Sequence, residues 1–183
     1  MKKIILGTVL ISLFALCGCS LKYVETPNVD DVVPEFVFEN TTMTSYQKNK
    51  KKTVVNAEIL EQYKNSTESY AKGLEFTAFD DKGKVSSEGQ CDYLFADTKK
   101  ETYQLFDNIT LKNHSDNINF YADALKYDGK TEQLTSGKSD TVKIEKDNTV
   151  IHGSGFSASG VSKTYRFTGA VSGEIEEGTK EEK

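Results

Sequence analysis

One cysteine near the N-terminus stands in a sequence context that fits covalent lipid attachment. Lys2 and Lys3 give the chain a positively charged start, and Ile4–Leu16 is an uncharged, mostly apolar run of 13 residues. Gly18, a small residue, directly precedes Cys19. A positive start, a short apolar run and a small residue before the cut are typical of a secretory signal peptide. The pattern predicts cleavage before Cys19, whose thiol then carries the lipid.

The cleavage site resembles the bacterial lipobox, with Leu16 at −3, Gly18 at −1 and Cys19 as the acylated N-terminus. Two alternatives stay open, namely a retained spanning helix and a secreted protein that is cut elsewhere. As a helix, 13 residues span about 20 Å, which is less than the hydrocarbon core of about 30 Å, so the spanning helix is the weaker interpretation. Ser20 is not the Asp that marks inner-membrane retention in some bacteria, so the outer membrane also stays open.

The chain divides into four segments by composition. Residues 19–183 are long enough for one domain with a core, and the polar stretch before Pro34 is typical of a linker. The last residues are rich in Glu and Lys and have no apolar period, which favours a solvated tail. We expect a signal peptide at 1–18, a lipidated N-terminus and linker at 19–33, a folded domain at 34–175 and an acidic tail at 176–183.

The remaining reactive side chains do not form a catalytic pattern. Once Cys17 is removed and Cys19 is acylated, Cys91 is alone, so no intramolecular disulfide can form and Cys91 is expected to be a small apolar strand residue. His114 falls in a probable turn and His152 in a strand, and neither has a second ligand at metal-binding spacing. The sequence therefore predicts no catalytic residue, no metal and no cofactor, and it indicates a binding or structural protein.

The charge of the chain argues against nucleic acid as a partner. The net charge is −5, and the one basic run comprises Lys48 and Lys50–Lys52. The simplest interpretation of this run is a solvated loop between strands. Contact with anionic lipid headgroups is the second interpretation.

Composition and periodicity indicate an all-β fold. The chain has nine Tyr and ten Phe but only two Pro and no Trp, which is typical of strands. Alternation places Leu74, Phe76 and Ala78 on one face, and it places Tyr103, Leu105, Ile109 and Leu111 on one face with Asp107 as the exception. The predicted strands are Glu35–Asn40, Met43–Gln47, Thr53–Tyr63, Leu74–Phe79, Lys84–Phe95, Tyr103–Lys112, Asn117–Tyr127, Thr141–Glu145, Val150–Ala158 and Thr164–Ile175.

Short motifs along the predicted domain resemble the periplasmic LptC family, the bridge component of the lipopolysaccharide export machine. A Pro-acid-aromatic start opens the first strand, and a small-Asp-x-Leu-x-Tyr-Asp strand resembles the motif shared with the LptA family. The motifs keep the family's order. They are Pro34–Asn40, Asn56–Tyr63, Phe76–Gly83, Phe120–Asp128, and His152–Phe156 followed by Phe167–Val171.

The resemblance implies a twisted, open β-jelly roll with an apolar interior groove. Acyl chains of lipopolysaccharide or a related glycolipid would slide inside it while the sugars stay in water. The N-terminal end would dock on the inner-membrane export ABC transporter and the C-terminal end on an LptA-like protein, with the chain held in the periplasm by its lipid. The candidate groove residues are Leu74, Phe76, Leu105, Ile109, Phe120, Leu125, Val142, Ile144, Phe167 and Val171.

A filled sandwich is the alternative to a groove. The same apolar side chains could fill each other's space, in which case the protein would be a surface or periplasmic scaffold or adhesin without a lipid passage. For either interior, Val171 is expected to point inward from the last strand. Val171→Asp is therefore expected to cost several kcal/mol if the side chain is buried, and to block pairing with the next jelly roll.

Overall fold

The computed structural model describes residues 33–64 and 67–175, so Cys19, the expected signal peptide, most of the linker and the acidic tail lie outside the described residues. The expected all-β fold is confirmed, and no helix that could cross a bilayer occurs in the described ranges. The strands are β1 (Pro34–Gln47), β2 (Lys50–Tyr63), β3 (Glu68–Phe79), β4 (Val85–Asp97), β5 (Thr102–Asn113), β6 (Ile118–Asp128), β7 (Gln133–Thr135), β8 (Thr141–Lys146), β9 (Thr149–Ser154), β10 (Phe156–Ser159), β11 (Thr164–Phe167) and β12 (Val171–Ile175).

All twelve strands belong to one antiparallel sheet that does not close on itself. From β1 to β6 each strand pairs with the next along the chain. The sheet then divides, because Lys126–Asp128 of β6 pair with β7 while Ile118–Ala122 pair with β8. Strands β10 and β11 continue from β7, whereas β9 and β12 continue from β8. The sheet is therefore an open roll with β1 at one edge and β11 and β12 at the other.

A line of polar residues crosses the middle of the long strands, and we call it the crease. At the crease the buried side chains along a strand are three positions apart instead of two, as in Ala71 to Leu74 of β3. Asn40 and Asp107 have left-handed backbones, with φ of 46° and 59°, which Asn and Asp tolerate better than bulky residues. The crease comprises Asn40, Glu58, Gly73, Asp92, Asp107, Asn108 and Asp123.

The crease folds the sheet into two leaves whose inner faces pack together. The first leaf holds the inner side chains of Phe38, Leu60 and Leu125, and the second holds those of Met43, Val55 and Phe120. The ring of Phe120 lies 5.7 Å from that of Phe156 in β10, which belongs to the first leaf. One hydrophobic cluster takes buried residues from both leaves. The fold is therefore a sandwich made from one creased sheet.

The expected turns form where Asp and Gly predict them. The Asp80 carboxylate accepts hydrogen bonds from the backbone N–H of Lys82 (2.8 Å) and of Lys84 (2.9 Å). In the first leaf the nearly buried Asp97 accepts from the Thr67 hydroxyl at 2.9 Å. A hydrogen bond from Lys100, 2.6 Å away, holds the pKa of the Asp97 carboxyl well below its usual range. These polar contacts fix the turns without occupying the apolar interior.

Several strand boundaries differ from the prediction, and the first difference is caused by the crease. The two expected strands Glu35–Asn40 and Met43–Gln47 are one strand, β1, which bends at Asn40. The single expected strand Thr164–Ile175 is two strands, since the backbone leaves the ladder between Phe167 and Val171. Strand β7 was not predicted, because three residues are too few for alternation to be read.

Two glycines with left-handed backbones, one in the crease and one in the β3–β4 turn, allow a test of the crease. Gly73 has φ of 59° and Gly83 has φ of 78°, but only at Gly73 would a Cβ meet another residue, 2.5 Å from Cγ and Cδ of Glu58. Gly83→Ala should lower the free energy of unfolding by about 1 kcal/mol, the cost of the left-handed backbone. Gly73→Ala should lower it by up to about 1 kcal/mol more, because the exposed Glu58 side chain must also change rotamer.

Equilibrium urea unfolding followed by circular dichroism measures both losses. Gly73→Ala in a Glu58→Ala background is the matched control, and there the extra loss at Gly73 should disappear. Equal losses for the two single variants would contradict the described contact across the crease.

Candidate functional site

The apolar inner face is the candidate site, and it contains most of the residues that the sequence singled out. Leu74, Leu105, Ile109, Leu125, Val142 and Ile144 are all buried in one cluster. Phe76, Phe120 and Phe167 are half-buried and pack against the same cluster. The structure therefore brings nine of the ten candidates together, and their contact with lipid stays a prediction.

Val171 is the exception, because it lies on the inner face but is not buried. Its cross-strand partner is Gly153, which in turn pairs with the fully buried Val142, so Val171 does lie on the inner face. However, β12 pairs only with β9, and within the described residues no further strand covers its other side. Val171 is consequently 56 % exposed, and the expected large cost of Val171→Asp loses its physical basis.

The inner face is closed at one side of the roll and open at the other. Near β8 to β10 the leaves touch, since Ile144 and Phe156 are each 1 % exposed. A Cβ on Gly153 of β9 would lie 2.5 Å from the Phe167 ring, so Phe167 covers this glycine at van der Waals distance. At β1, by contrast, Phe38 and Met43 are 43 % and 42 % exposed although both face inward.

Sequence reasoning missed these open residues of β1. Phe36, Phe38 and Met43 lie on the inner face, because their partners Gln62, Leu60 and Val55 do. The alternating aromatics Phe36 and Phe38 in the first motif were the available signal. Their exposure could not be predicted, since it arises from β1 being an edge strand that contacts β2 alone.

The two edges of the sheet expose backbone as well as side chains. Strand β1 is an edge along all 14 of its residues, and β11 and β12 form the opposite edge. Apolar side chains at that opposite edge are also exposed, including Tyr165 and Ile175. An edge strand presents unpaired N–H and C=O groups, which can pair with a strand of another protein.

The outer face mixes polar residues with exposed apolar ones such as Val37, Tyr93 and Phe106, and it carries no catalytic arrangement among the described residues. Asn108 donates a hydrogen bond to Asp92 at 2.6 Å across the crease, and Tyr121 donates to Glu145 at 2.8 Å. The ammonium of Lys143 lies 2.6 Å from the Glu145 carboxylate and lowers the pKa of that carboxyl. No group of three His, Cys, Asp or Glu side chains in the described ranges is placed to hold a metal ion.

The isolated reactive residues have the places that the sequence predicted. Cys91 is a buried strand residue, and burial raises the pKa of its thiol to about 11, so it is protonated at neutral pH. His114 lies in an exposed turn with Nε2 3.1 Å from the Glu88 carboxylate. His152 lies on β9, beside Gly153, and is exposed. His114 is thus paired with a carboxylate, while burial keeps the Cys91 thiol inactive.

Comparison with protein families adds a match over nearly the whole chain. A family described as lipopolysaccharide-assembly, LptC-related, matches residues 7–176, a range that contains all twelve strands. No curated protein matches the chain.

The difference between the closed and open parts of the inner face predicts different costs of truncation. Ile144→Ala should lower the free energy of unfolding by about 2–5 kcal/mol, since it leaves a cavity in the closed cluster. Met43→Ala, on the same leaf and face, should cost about 1 kcal/mol or less, because the side chain already contacts solvent. Urea unfolding measures both, and a loss at Met43 as large as that at Ile144 would contradict the open end.

Proposed function

The chain belongs to the LptC-related family of lipopolysaccharide-assembly proteins, and from this we infer that it is a membrane-tethered periplasmic bridge for a glycolipid. The family supports a role in lipopolysaccharide transport and a periplasmic protein linked to the inner membrane. In our proposal the chain accepts lipopolysaccharide or a related glycolipid from an ABC transporter and passes it to an LptA-like protein. Cys19 carries the lipid anchor, and residues 20–33 connect it to the sheet.

The open part of the inner face is the observation that carries this proposal. Phe36, Phe38 and Met43 expose apolar surface on the same face as the buried cluster, and exposed apolar surface lowers its free energy by contact with acyl chains. Each buried methylene contributes about 0.8 kcal/mol, so an acyl chain gains enough by lying against β1 to stay out of water. Sugars have no such gain and remain outside.

The two unpaired edges support docking at both ends. Strand addition at β1 would join the sheet to the periplasmic part of the transporter, and addition at β11 and β12 would join it to the LptA-like protein. The inner faces of the joined sheets would then be continuous. Exposed Val171 and Ile175 would be covered by the second partner.

This mechanism requires no catalytic residue in the chain. Energy for lipid movement would come from ATP hydrolysis by the transporter, and the bridge would supply only a path. The described residues support that role, because the Cys91 thiol is buried and protonated.

A scaffold or adhesin with a filled sandwich is the second candidate. It is favoured by the closed packing around Val142, Ile144 and Phe156. The open inner face at β1 favours the bridge over this candidate.

A photo-crosslinking residue distinguishes the bridge from the scaffold. Placed at Phe38, which faces inward, it should form an adduct with lipopolysaccharide in cells that are exporting it. Placed at Val37, the next residue, it should give little or no adduct, since neighbouring strand residues face opposite sides. Val37 is the matched control because it is 52 % exposed and Phe38 is 43 % exposed.

Immunoblotting of the purified protein for lipopolysaccharide detects the adduct. Equal labelling at the two positions, or no labelling at Phe38 while export is active, would contradict passage along the inner face of β1.

The C-terminal edge gives a prediction that separates docking from stability. Val171→Asp should change the free energy of unfolding by less than about 1 kcal/mol, because Val171 is largely exposed. The same substitution should weaken strand addition of an LptA-like protein, since a carboxylate would be buried in the joined interface. Co-purification of the two proteins measures docking, with Ser172→Asp on the outer face as the control. Undiminished co-purification of Val171→Asp would contradict docking at β12.

A further inference from the structure

Positive charge is concentrated at two neighbouring turns of the second leaf, which we call the lysine rim. The rim comprises residues 48–52, at the β1–β2 hairpin, and residues 80–84, at the β3–β4 turn. These two stretches contain six lysines and two aspartates, which gives a local net charge of +4 in a chain whose net charge is −5. The lysines are Lys48, Lys50, Lys51, Lys52, Lys82 and Lys84.

Contacts across the rim hold the two turns together and engage both aspartates. Lys50 donates to the Asp81 carbonyl at 2.7 Å, and Lys52 forms an ion pair with the Asp81 carboxylate, also at 2.7 Å. The Asp80 carboxylate accepts backbone N–H groups of the turn. The prediction that this basic run is a solvated loop is therefore wrong for most of the run. Only Lys48 and Asn49 form the turn, while Lys50–Lys52 begin β2.

Within the described residues, only Lys52 of the six rim lysines forms an ion pair. Lys48, Lys82 and Lys84 are exposed, and the ion pairs found within residues 33–64 and 67–175 do not include them. Lys51 lies 4.1 Å from the centre of the Phe79 ring, so it too has no carboxylate partner in that part of the chain. The rim thus presents exposed cations beside two turns that Lys50 and Lys52 tie together.

Turns of the first leaf do not share this excess. The β4–β5 turn sets Lys99 and Lys100 against Asp97 and Glu101, with Lys100 bound to Asp97 at 2.6 Å. The β6–β7 turn sets Lys130 against Asp128 and Glu132. The positive charge is consequently a feature of one end of one leaf.

The rim lies at one end of β1, the strand along which the inner face is open. The rim follows Met43 and Tyr46 along β1, and they are 42 % and 68 % exposed. Tyr46 and Gln47 pair with Lys51 and Lys50, so the first rim lysines lie directly beside the end of β1. The strands of both leaves run from the crease to turns on the opposite side of the sandwich. The rim lies among these turns, so it borders the side through which a headgroup would leave.

We propose that the lysine rim binds the phosphate groups of the glycolipid headgroup while the acyl chains lie against β1. The inference rests on the proposed function and names the part of the substrate that the rim recognises. Lysine ammonium groups bind phosphate as point charges, and several of them on one rim attract a multiply charged headgroup. The rim would fix how deeply the lipid enters, because the apolar face begins where the charges end.

Binding of lipopolysaccharide by the full chain in nonionic detergent tests this assignment. The triple variant Lys48→Glu, Lys82→Glu, Lys84→Glu should weaken binding about ten-fold or more, and the loss should shrink as salt is added. The matched triple Lys64→Glu, Lys72→Glu, Lys126→Glu changes net charge equally with exposed lysines away from the rim, and it should keep binding within about two-fold. Chemically dephosphorylated lipopolysaccharide should bind both triples and the wild-type protein alike.

The outcomes separate the rim from the proposed function. If the wild-type protein binds neither form of lipopolysaccharide, the proposed function fails. If it binds both forms equally and the rim triple binds as the wild type does, the rim assignment fails while the function stands. A rim triple that loses sedimentation with phosphatidylglycerol vesicles but keeps full lipopolysaccharide binding would overturn the assignment in favour of the bilayer surface.

Discussion

A register skip that repeats across neighbouring strands is the constraint on which the rest of the structure depends. An extended strand alternates its side chains with a period of two, so one unbroken sheet would have one apolar face and nothing to cover it. At the crease the spacing between buried side chains becomes three in β3 and four in β5, and left-handed residues such as Asn40, Gly73 and Asp107 turn the chain. The sheet then covers its own apolar face, and no second sheet or helix is needed.

The same constraint explains why a filled core and an open face occur in one domain. Where the last strands of both leaves meet, their side chains fill the interior, and Phe156 and Val142 are almost fully buried. The first strand has no neighbour on its outer side, so Phe38 and Met43 keep apolar surface exposed. Stability therefore comes from one side of the roll, which leaves the other side available for lipid and for a partner strand.

Alternation in the sequence predicted the faces of strands but not their neighbours. It placed Leu105 and Ile109 on one face with Asp107 as an exception, and the structure assigns that exception to the crease. The alignment of such exceptions across six strands depends on pairing register, which one sequence does not contain. The solvent exposure of side chains on edge strands depends on the same pairing, so the sequence did not predict that Val171 and Phe38 are exposed. The family resemblance supplied the architecture that periodicity alone left open.

Met43 offers the most direct test that lipid lies against the open inner face. It is the only methionine besides Met1, so a ¹³C-methyl label on methionine reports this position alone in the processed protein. With lipopolysaccharide added in deuterated detergent, the Met43 methyl should shift and show nuclear Overhauser contacts to acyl methylene protons. An unchanged methyl resonance without such contacts, at saturating lipopolysaccharide and with the protein folded, would contradict the account.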